Sequence, residues 1–358
     1  MNKAKYDGME HPVRQVTDLK DIIVSSCSMF KDDTAFLEKD KPGGTFQPVS
    51  YAKVKDDMDA LGTKLIDMGL KGCKIAVVGE TSYHWFLTYF ATVCGVGVIV
   101  PLDKNLPQDE LKSLVERSHA KAIVFSNRME KTIKPLFDEP GEIEYFISMS
   151  ENENEKVLSL VKLIEEGNKL LREGARNYVD AEINPQDMAS LLFTSGTTGK
   201  SKGVMLSHKN IAANVVNVSK RVMLDKGCVV LSILPVHHTY ENTIDWVTIY
   251  QGRTIAICEG IKYILRNMNE VKANCMVGVP LVFEKIYKGL MKQAEGRGEG
   301  EKIRNAIALS RRLKLYNNRS FIRKLFKPIH QAFGGCMQLF IAGGAAMDSE
   351  ITEAFEAM

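Results

Sequence analysis

Short apolar runs alternating with stretches of helical periodicity constrain this chain more than any other feature. The run KIAVVG at 74–79 reads as a buried strand, and comparable strands are expected over 96–101, 121–126 and 144–148. Helices over 82–94 and 107–118 fall between the first three of these strands. Ahead of them come an amphipathic helix near 18–29, a strand pair around 35–38 and 44–50, and a helix over 51–68. Strands separated by helices of ten or so residues predict a parallel sheet with helices on both faces. The uncharged run 86–102, FLTYFATVCGVGVIVPL, falls just short of a membrane span and is broken by Gly95, Gly97 and Pro101. It reads as a buried helix running straight into a buried strand.

Residues 150–187 differ. Glu151, Glu153 and Glu155 open an acidic stretch read as helical, which ends at Asn184-Pro185. Beyond it the alternation resumes, with strands over 228–235, 254–258, 275–279 and 337–342. A helix over 241–251 and helices from 281, 301 and 320 accompany them. The expected architecture is α/β, with two successive subdomains of mixed or parallel sheet flanked by helices, at 1–185 and 186–358. A chain of 358 residues is long enough to bury such a core.

The second subdomain opens with 191–203, LLFTSGTTGKSKG. Five hydroxyl residues, three glycines and two lysines occupy the ten positions 194–203. Glycines let successive amides turn inward onto an anion, hydroxyls add donors, and lysines add positive charge. Such a loop is built to hold a polyphosphate. It is not the usual P-loop, because the Gly199-Lys200-Ser201 triplet would require glycine at 194, where Thr194 stands. Ser207 is placed to cap a helix starting at about His208.

The segment TSGTTGKSKG resembles the phosphate-binding signature of the AMP-forming adenylate-forming enzymes: acyl-CoA synthetases, luciferases and peptide-synthetase adenylation domains. Ser201 stands where that family usually has proline, which changes loop stiffness more than charge. The resemblance implies that Thr194, Ser195, Gly196, Thr197, Thr198, Gly199 and Lys202 cradle ATP. It further implies that Thr194 lies near Mg²⁺ and that Lys202 serves catalysis. LPVHHTYEN at 234–242 is similar to the family's Leu-Pro-x-x-His segment. The resemblance therefore puts His238 beside the carboxyl group of the acyl substrate, and the Tyr240-Glu241 pair looks like the long-chain acyl-CoA synthetase version. VPLVFEKIY at 279–287 is a second such marker. QLFIAGGAAM at 338–347 resembles the glycine-rich segment that lines the adenine and acyl pocket, through Gly343, Gly344 and Ala345. Ala346 replaces the usual proline.

The implied reaction is ATP-dependent ligation of a long-chain fatty acid to coenzyme A through an acyl-adenylate. Adenylation of an aryl, amino or short-chain acid, and a non-catalytic nucleotide- or acyl-binding module, remain as alternatives. The family's later motifs, including a magnesium-holding glutamate and the lysine of a small C-terminal lid domain, do not occur in these 358 residues. The chain is thus expected to be the front part of a longer enzyme, weak or inactive alone.

Composition narrows the partners. A net charge of +3 is too small to argue for nucleic acid. Seven cysteines, none in C-x-x-C spacing, argue against a disulfide framework or zinc site and suggest a reducing cytoplasm. No apolar signal-peptide core is visible at the N-terminus. Residues 302–330 carry nine Lys/Arg and no acid, interleaved with apolar residues. That pattern fits peripheral membrane contact, and it equally fits a solvated helical face.

Overall fold

The computed structural model describes residues 4–5, 10–194 and 201–358. In chain order the strands of its two main sheets are β1 (Thr34–Lys39), β2 (Phe46–Ser50), β3 (Lys74–Val78), β4 (Val98–Leu102), β5 (Ala120–Phe125), β6 (Tyr145–Ser148), β7 (Val157–Ser159), β8 (Met188–Thr194), β9 (Lys202–Ser207), β10 (Val229–Ser232), β11 (Thr254–Ile257), β12 (Cys275–Gly278) and β13 (Leu339–Ala342). One sheet has the order β9-β8-β4-β3-β5-β6-β7, and the other β13-β12-β10-β11-β1-β2. Neighbours run parallel except β8 with β9 and β1 with β2. The flanking helices include α1 (Leu19–Met29), α2 (Tyr51–Asp67), α3 (Tyr83–Ala91), α4 (Gln108–Ser118), α5 (Leu160–Arg172), α6 (His208–Ser219), α7 (Thr239–Tyr250), α8 (Ile264–Val271), α9 (Pro280–Gly296), α10 (Gly300–Arg312), α11 (Arg319–Leu325), α12 (Lys327–Ala332) and α13 (Ser349–Ala357).

The two sheets interleave in sequence, so the expected boundary at 185/186 does not divide them. β8 and β9 lie beyond that boundary yet complete the first sheet, with Ser190 opposite Ile99 of β4. β1 and β2 lie before it yet close the second, with Phe36 and Leu37 opposite Ile255 and Ala256 of β11. Local hydrophobic pattern specifies a strand but not its neighbour, and long-range hydrogen bonding makes that choice.

The uncharged run behaves as expected. α3 passes through a π turn at Thr92–Val96 into β4, and Phe86, Leu87, Phe90 and Val93 are buried. Among the described residues no helix is long and apolar enough to cross a membrane. The acidic stretch is a correction: 151–156 is not helical, Val157–Ser159 forms the edge strand β7, and helix begins only at Leu160. Its polar residues serve loop bonds instead, as where Asn152 Oδ1 accepts from Asn154 N at 2.8 Å. Helix α8 was not anticipated. Helix α5 seats against α2 through Gly167, where a Cβ would stand 1.9 Å from the carbonyl oxygen of Ala60. Only glycine permits that approach.

Candidate functional site

Strand β8 carries the chain out of the core: Ala189 and Ser190 are buried, while Thr194 is exposed. β9 returns antiparallel beside it, placing Lys202 directly opposite Thr194. Thr194 and Lys202 are therefore the two paired feet of the β8–β9 hairpin. Ser195, Gly196, Thr197, Thr198 and Gly199 lie outside the described residues. The returning foot is anchored on α4, where Arg117 Nη2 donates to the Ser201 carbonyl at 2.6 Å. The Arg117 guanidinium also lies 5.5 Å from the centre of the Phe193 ring. Behind the hairpin, α6 opens with a capping box: Ser207 Oγ accepts from Asn210 N, and Asn210 Oδ1 accepts from Ser207 N.

The histidine segment follows β10 and leads into α7, so it emerges at a carboxyl edge, where open α/β sheets bind ligands. His237 is half-buried and its Nε2 lies 3.7 Å from Oδ2 of Asp103, the residue that follows β4. The two carboxyl edges meet at this pair. Burial, reinforced by His238, pushes the His237 pKa down to about 4 against the pull of Asp103. Its imidazole is neutral at physiological pH. His238 sits at the N-cap of α7, exposed, with its ring centre 4.2 Å from that of His237.

In the first turn of α7, Tyr240 reaches the glycine segment. Its hydroxyl donates to the Ile341 carbonyl at 3.4 Å, and burial pushes its pKa up to about 12, so it stays a donor. Its ring fills the space that a side chain at 343 would take. A Cβ on Gly343 would lie 2.7 Å from both Cζ and Oη of Tyr240. Gly343→Ala is thus expected to displace the phenol and cost about 1–3 kcal/mol. Urea unfolding measures this, and an unchanged midpoint would show that Tyr240 yields freely. Gly344 takes a positive φ of 83°, and Gly344 and Ala345 are exposed beyond β13.

A cavity of about 250 Å³ lies under the hairpin, lined by Tyr89, Leu192, Leu206, Ile211, Val236 and His237 among others. Leu192 and Thr194 share one face of β8, since strand side chains alternate. The cavity, with His237 in its wall, is thus walled by the same strand that ends at Thr194. The structure brings Thr194, Lys202, His238, Gly343, Gly344 and Ala345 to carboxyl ends or turns of the two sheets. Tyr89 of the pocket wall and Asp103 beside His237 were not anticipated; of the two adjacent histidines, His237 is the one in the pocket wall. The position of Asp103 immediately after a buried strand was the available signal. Among the described residues no cluster of three or more His, Cys, Asp or Glu is arranged to hold a metal ion.

Residues 24–358 match the model of the AMP-binding enzyme family. The chain is 25% identical over 365 residues to the peroxisomal long chain acyl-CoA synthetase 6 of Arabidopsis thaliana, covering 97% of this chain and 50% of that protein. It is 26% identical over 300 residues to a chloroplastic long-chain-fatty-acid–[acyl-carrier-protein] ligase of the same plant, covering 79% of this chain and 41% of that protein. Among solved structures, the adenylation domain of a carboxylate reductase from Mycobacterium chelonae superimposes with a TM-score of 0.77 at 17% identity, covering 96% of this chain and 56% of that one. The chain spans about half the length of the curated relatives it matches.

Proposed function

Since the chain belongs to the AMP-binding enzyme family, we propose that it carries the nucleotide and acyl sites of an ATP-dependent long-chain fatty acid–CoA ligase. The observation that carries this reading is the apolar pocket lying directly beneath the Thr194–Lys202 hairpin, with a neutral histidine in its wall. A fatty acid needs an apolar sleeve for its tail, and its carboxylate needs to meet a phosphate. A cavity of about 250 Å³ is small for the task, because ligand sites run to roughly 300–1,000 Å³.

The carboxylate oxygen attacks the α-phosphorus of ATP, the bond to the bridging oxygen breaks, and pyrophosphate leaves. The thiol of coenzyme A then attacks the acyl carbon, and AMP departs. The obstacle in the first step is the approach of an anion to a polyanion. The Lys202 ammonium lowers that repulsion, and the Thr194 hydroxyl donates to a phosphate oxygen. A neutral His237 adds no charge to the pocket and can donate one hydrogen bond to the incoming carboxylate. Gly344 and Ala345, exposed beyond β13, line the adenine site together with the Gly343 backbone that Tyr240 covers on one side. Magnesium, when bound, neutralises phosphate charge. Its hold here would come from the phosphates with Thr194 as the hydroxyl ligand, since magnesium retains several waters and few protein ligands.

A second reading keeps the adenylation and changes the acceptor to a carrier-protein thiol, favoured by the similarity to the acyl-carrier-protein ligase. Pyrophosphate exchange with a panel of acids, followed by transfer to coenzyme A or to a carrier protein, separates the two. Removing a charge-assisted phosphate contact costs about 1.5–3 kcal/mol. Lys202→Ala is therefore expected to weaken ATP binding by calorimetry about 10–100-fold, with Thr194→Val losing less. Equal affinity of Lys202→Ala and the parent chain would sink the assignment of Lys202.

A further inference from the structure

The basic stretch 302–330 folds as α10, a 3-10 turn at Leu315–Asn317, α11 and α12 rather than as one helix. Lys314 takes a left-handed φ of 51°, and Asn318 Oδ1 caps α11 by accepting from Phe321 N at 3.2 Å. The inward side is ordinary core: Ile307, Ile322, Phe326 and Ile329 are buried. The outward side is not an ordinary surface. Leu309, Leu313, Tyr316, Phe321 and Leu325 are 47%, 57%, 41%, 45% and 36% exposed. Leu309 and Leu313 share one face of a helical turn, as do Phe321 and Leu325. Isolated exposed apolar side chains are normal, but here five fall within seventeen residues, on two consecutive helices and the turn that joins them.

Positive charge surrounds the patch. Arg312, Lys314, Lys324 and Lys327 are exposed and form no ion pair with the described residues. Acids do reach the neighbourhood from elements packed against it. Glu353 of α13 pairs with Arg311 at 2.7 Å, Glu295 of α9 pairs with Arg304 at 2.8 Å, and Glu356 lies beside Arg323 and Tyr316 in a shared cavity wall. They neutralise the inner cations and leave the outer four uncompensated.

We propose that this face docks on an anionic lipid bilayer. Leu313, Tyr316 and Phe321 enter the boundary between headgroups and acyl chains, and Arg312, Lys314 and Lys324 meet lipid phosphates. A polyanion such as RNA would use the cations alone. The apolar side chains exposed among them favour a surface that is charged outside and apolar beneath. The inference stands on the patch alone and does not require that the acid or acceptor proposed above be correct.

The test is cosedimentation of the whole chain with vesicles of phosphatidylcholine alone and with phosphatidylglycerol added. Binding to the anionic vesicles is expected, weakening as salt rises. Each basic residue near such a surface contributes about a fivefold gain, so Arg312→Gln/Lys314→Gln/Lys324→Gln should bind on the order of 100-fold more weakly. Arg312→Lys/Lys314→Arg/Lys324→Arg should bind as the parent does. Leu313→Ser/Phe321→Ser should also lose binding, and because both side chains are exposed the fold should survive, as circular dichroism would verify. Equal binding to neutral and anionic vesicles overturns the proposal. So does a triple glutamine variant that binds normally. Indifference to Leu313→Ser/Phe321→Ser together with displacement by RNA would reassign the face to polyanions and overturn it as well.

Discussion

Trp246→Ala is expected to lower the free energy of unfolding by about 3–5 kcal/mol, among the largest costs of any single substitution in this chain. Trp246 is 1% exposed and stands on α7, which packs with the second sheet. Its indole meets the Phe90 ring edge-on at 5.0 Å between centres and the Tyr89 ring at 6.0 Å. Both rings belong to α3, whose chain continues into β4 of the first sheet. The indole is thus a packing link between the two halves, beside Phe36 of β1, whose ring meets those of Phe86 and Phe90 at 5.1 and 6.4 Å. Denaturant unfolding reads the loss as a lower midpoint at unchanged slope. A loss under about 1 kcal/mol would mean that the two halves pack independently of this residue. Because Tyr89 also walls the apolar pocket, the same variant should change the shape of that pocket, which binding of the fatty acids proposed above would register.

Asp245→Asn is expected to stabilise the protein at mildly alkaline pH and to do little in acid. Asp245 and Glu241 sit one turn apart on α7, both 2% exposed, with the Ser232 hydroxyl as a shared polar neighbour. Glu241 Oε1 accepts from Ile233 N at 3.0 Å, but neither carboxyl forms an ion pair with the described residues. Burial raises both pKa values, and for Asp245 the neighbouring Glu241 raises it further. In the unfolded chain these groups ionise near their ordinary values, whereas the fold holds their protons to higher pH. The unfolded state therefore binds fewer protons between those two limits, and stability falls as pH rises through that window. Below about pH 4 both states are protonated and the penalty vanishes. At about pH 8 the amide should gain on the order of 2–3 kcal/mol, since a neutral isostere need not take up a proton to be buried. Unfolding curves of parent and variant at the two pH values decide it. A gain equal at both would show that packing, not ionisation, is responsible.

Much of the candidate site is legible in the sequence. The glycine-rich stretch announces an anion loop through its residue types, the paired glycines at 343–344 announce a bare backbone, and strand-then-polar patterns put His238 at a carboxyl edge. Each of these signals is local, carried by φ preference, donor inventory or periodicity, and needs no knowledge of what lies across the fold. His237 was harder to read. Whether it or His238 faces the pocket depends on where α7 starts, and the helix begins at Thr239 with His238 as its exposed cap. Asp103 and Tyr89 come from a strand end and a helix far away in sequence and carry no motif of their own.

What the chain determined by itself was the kind of each element and the chemistry at its ends: alternating strands and helices, buried 86–102, and donors and cations around Thr194 and Lys202. Only the tertiary structure decided which strand lies beside which. It drew β1 and β2 into the sheet of β10–β13, and folded β8 and β9 back against β4. It also divided one basic stretch into a buried side and an exposed apolar rim. The reason is one of range. Backbone propensity and side-chain alternation act over a few residues, whereas sheet order and pocket walls are set by hydrogen bonds and close packing between residues a hundred or more positions apart.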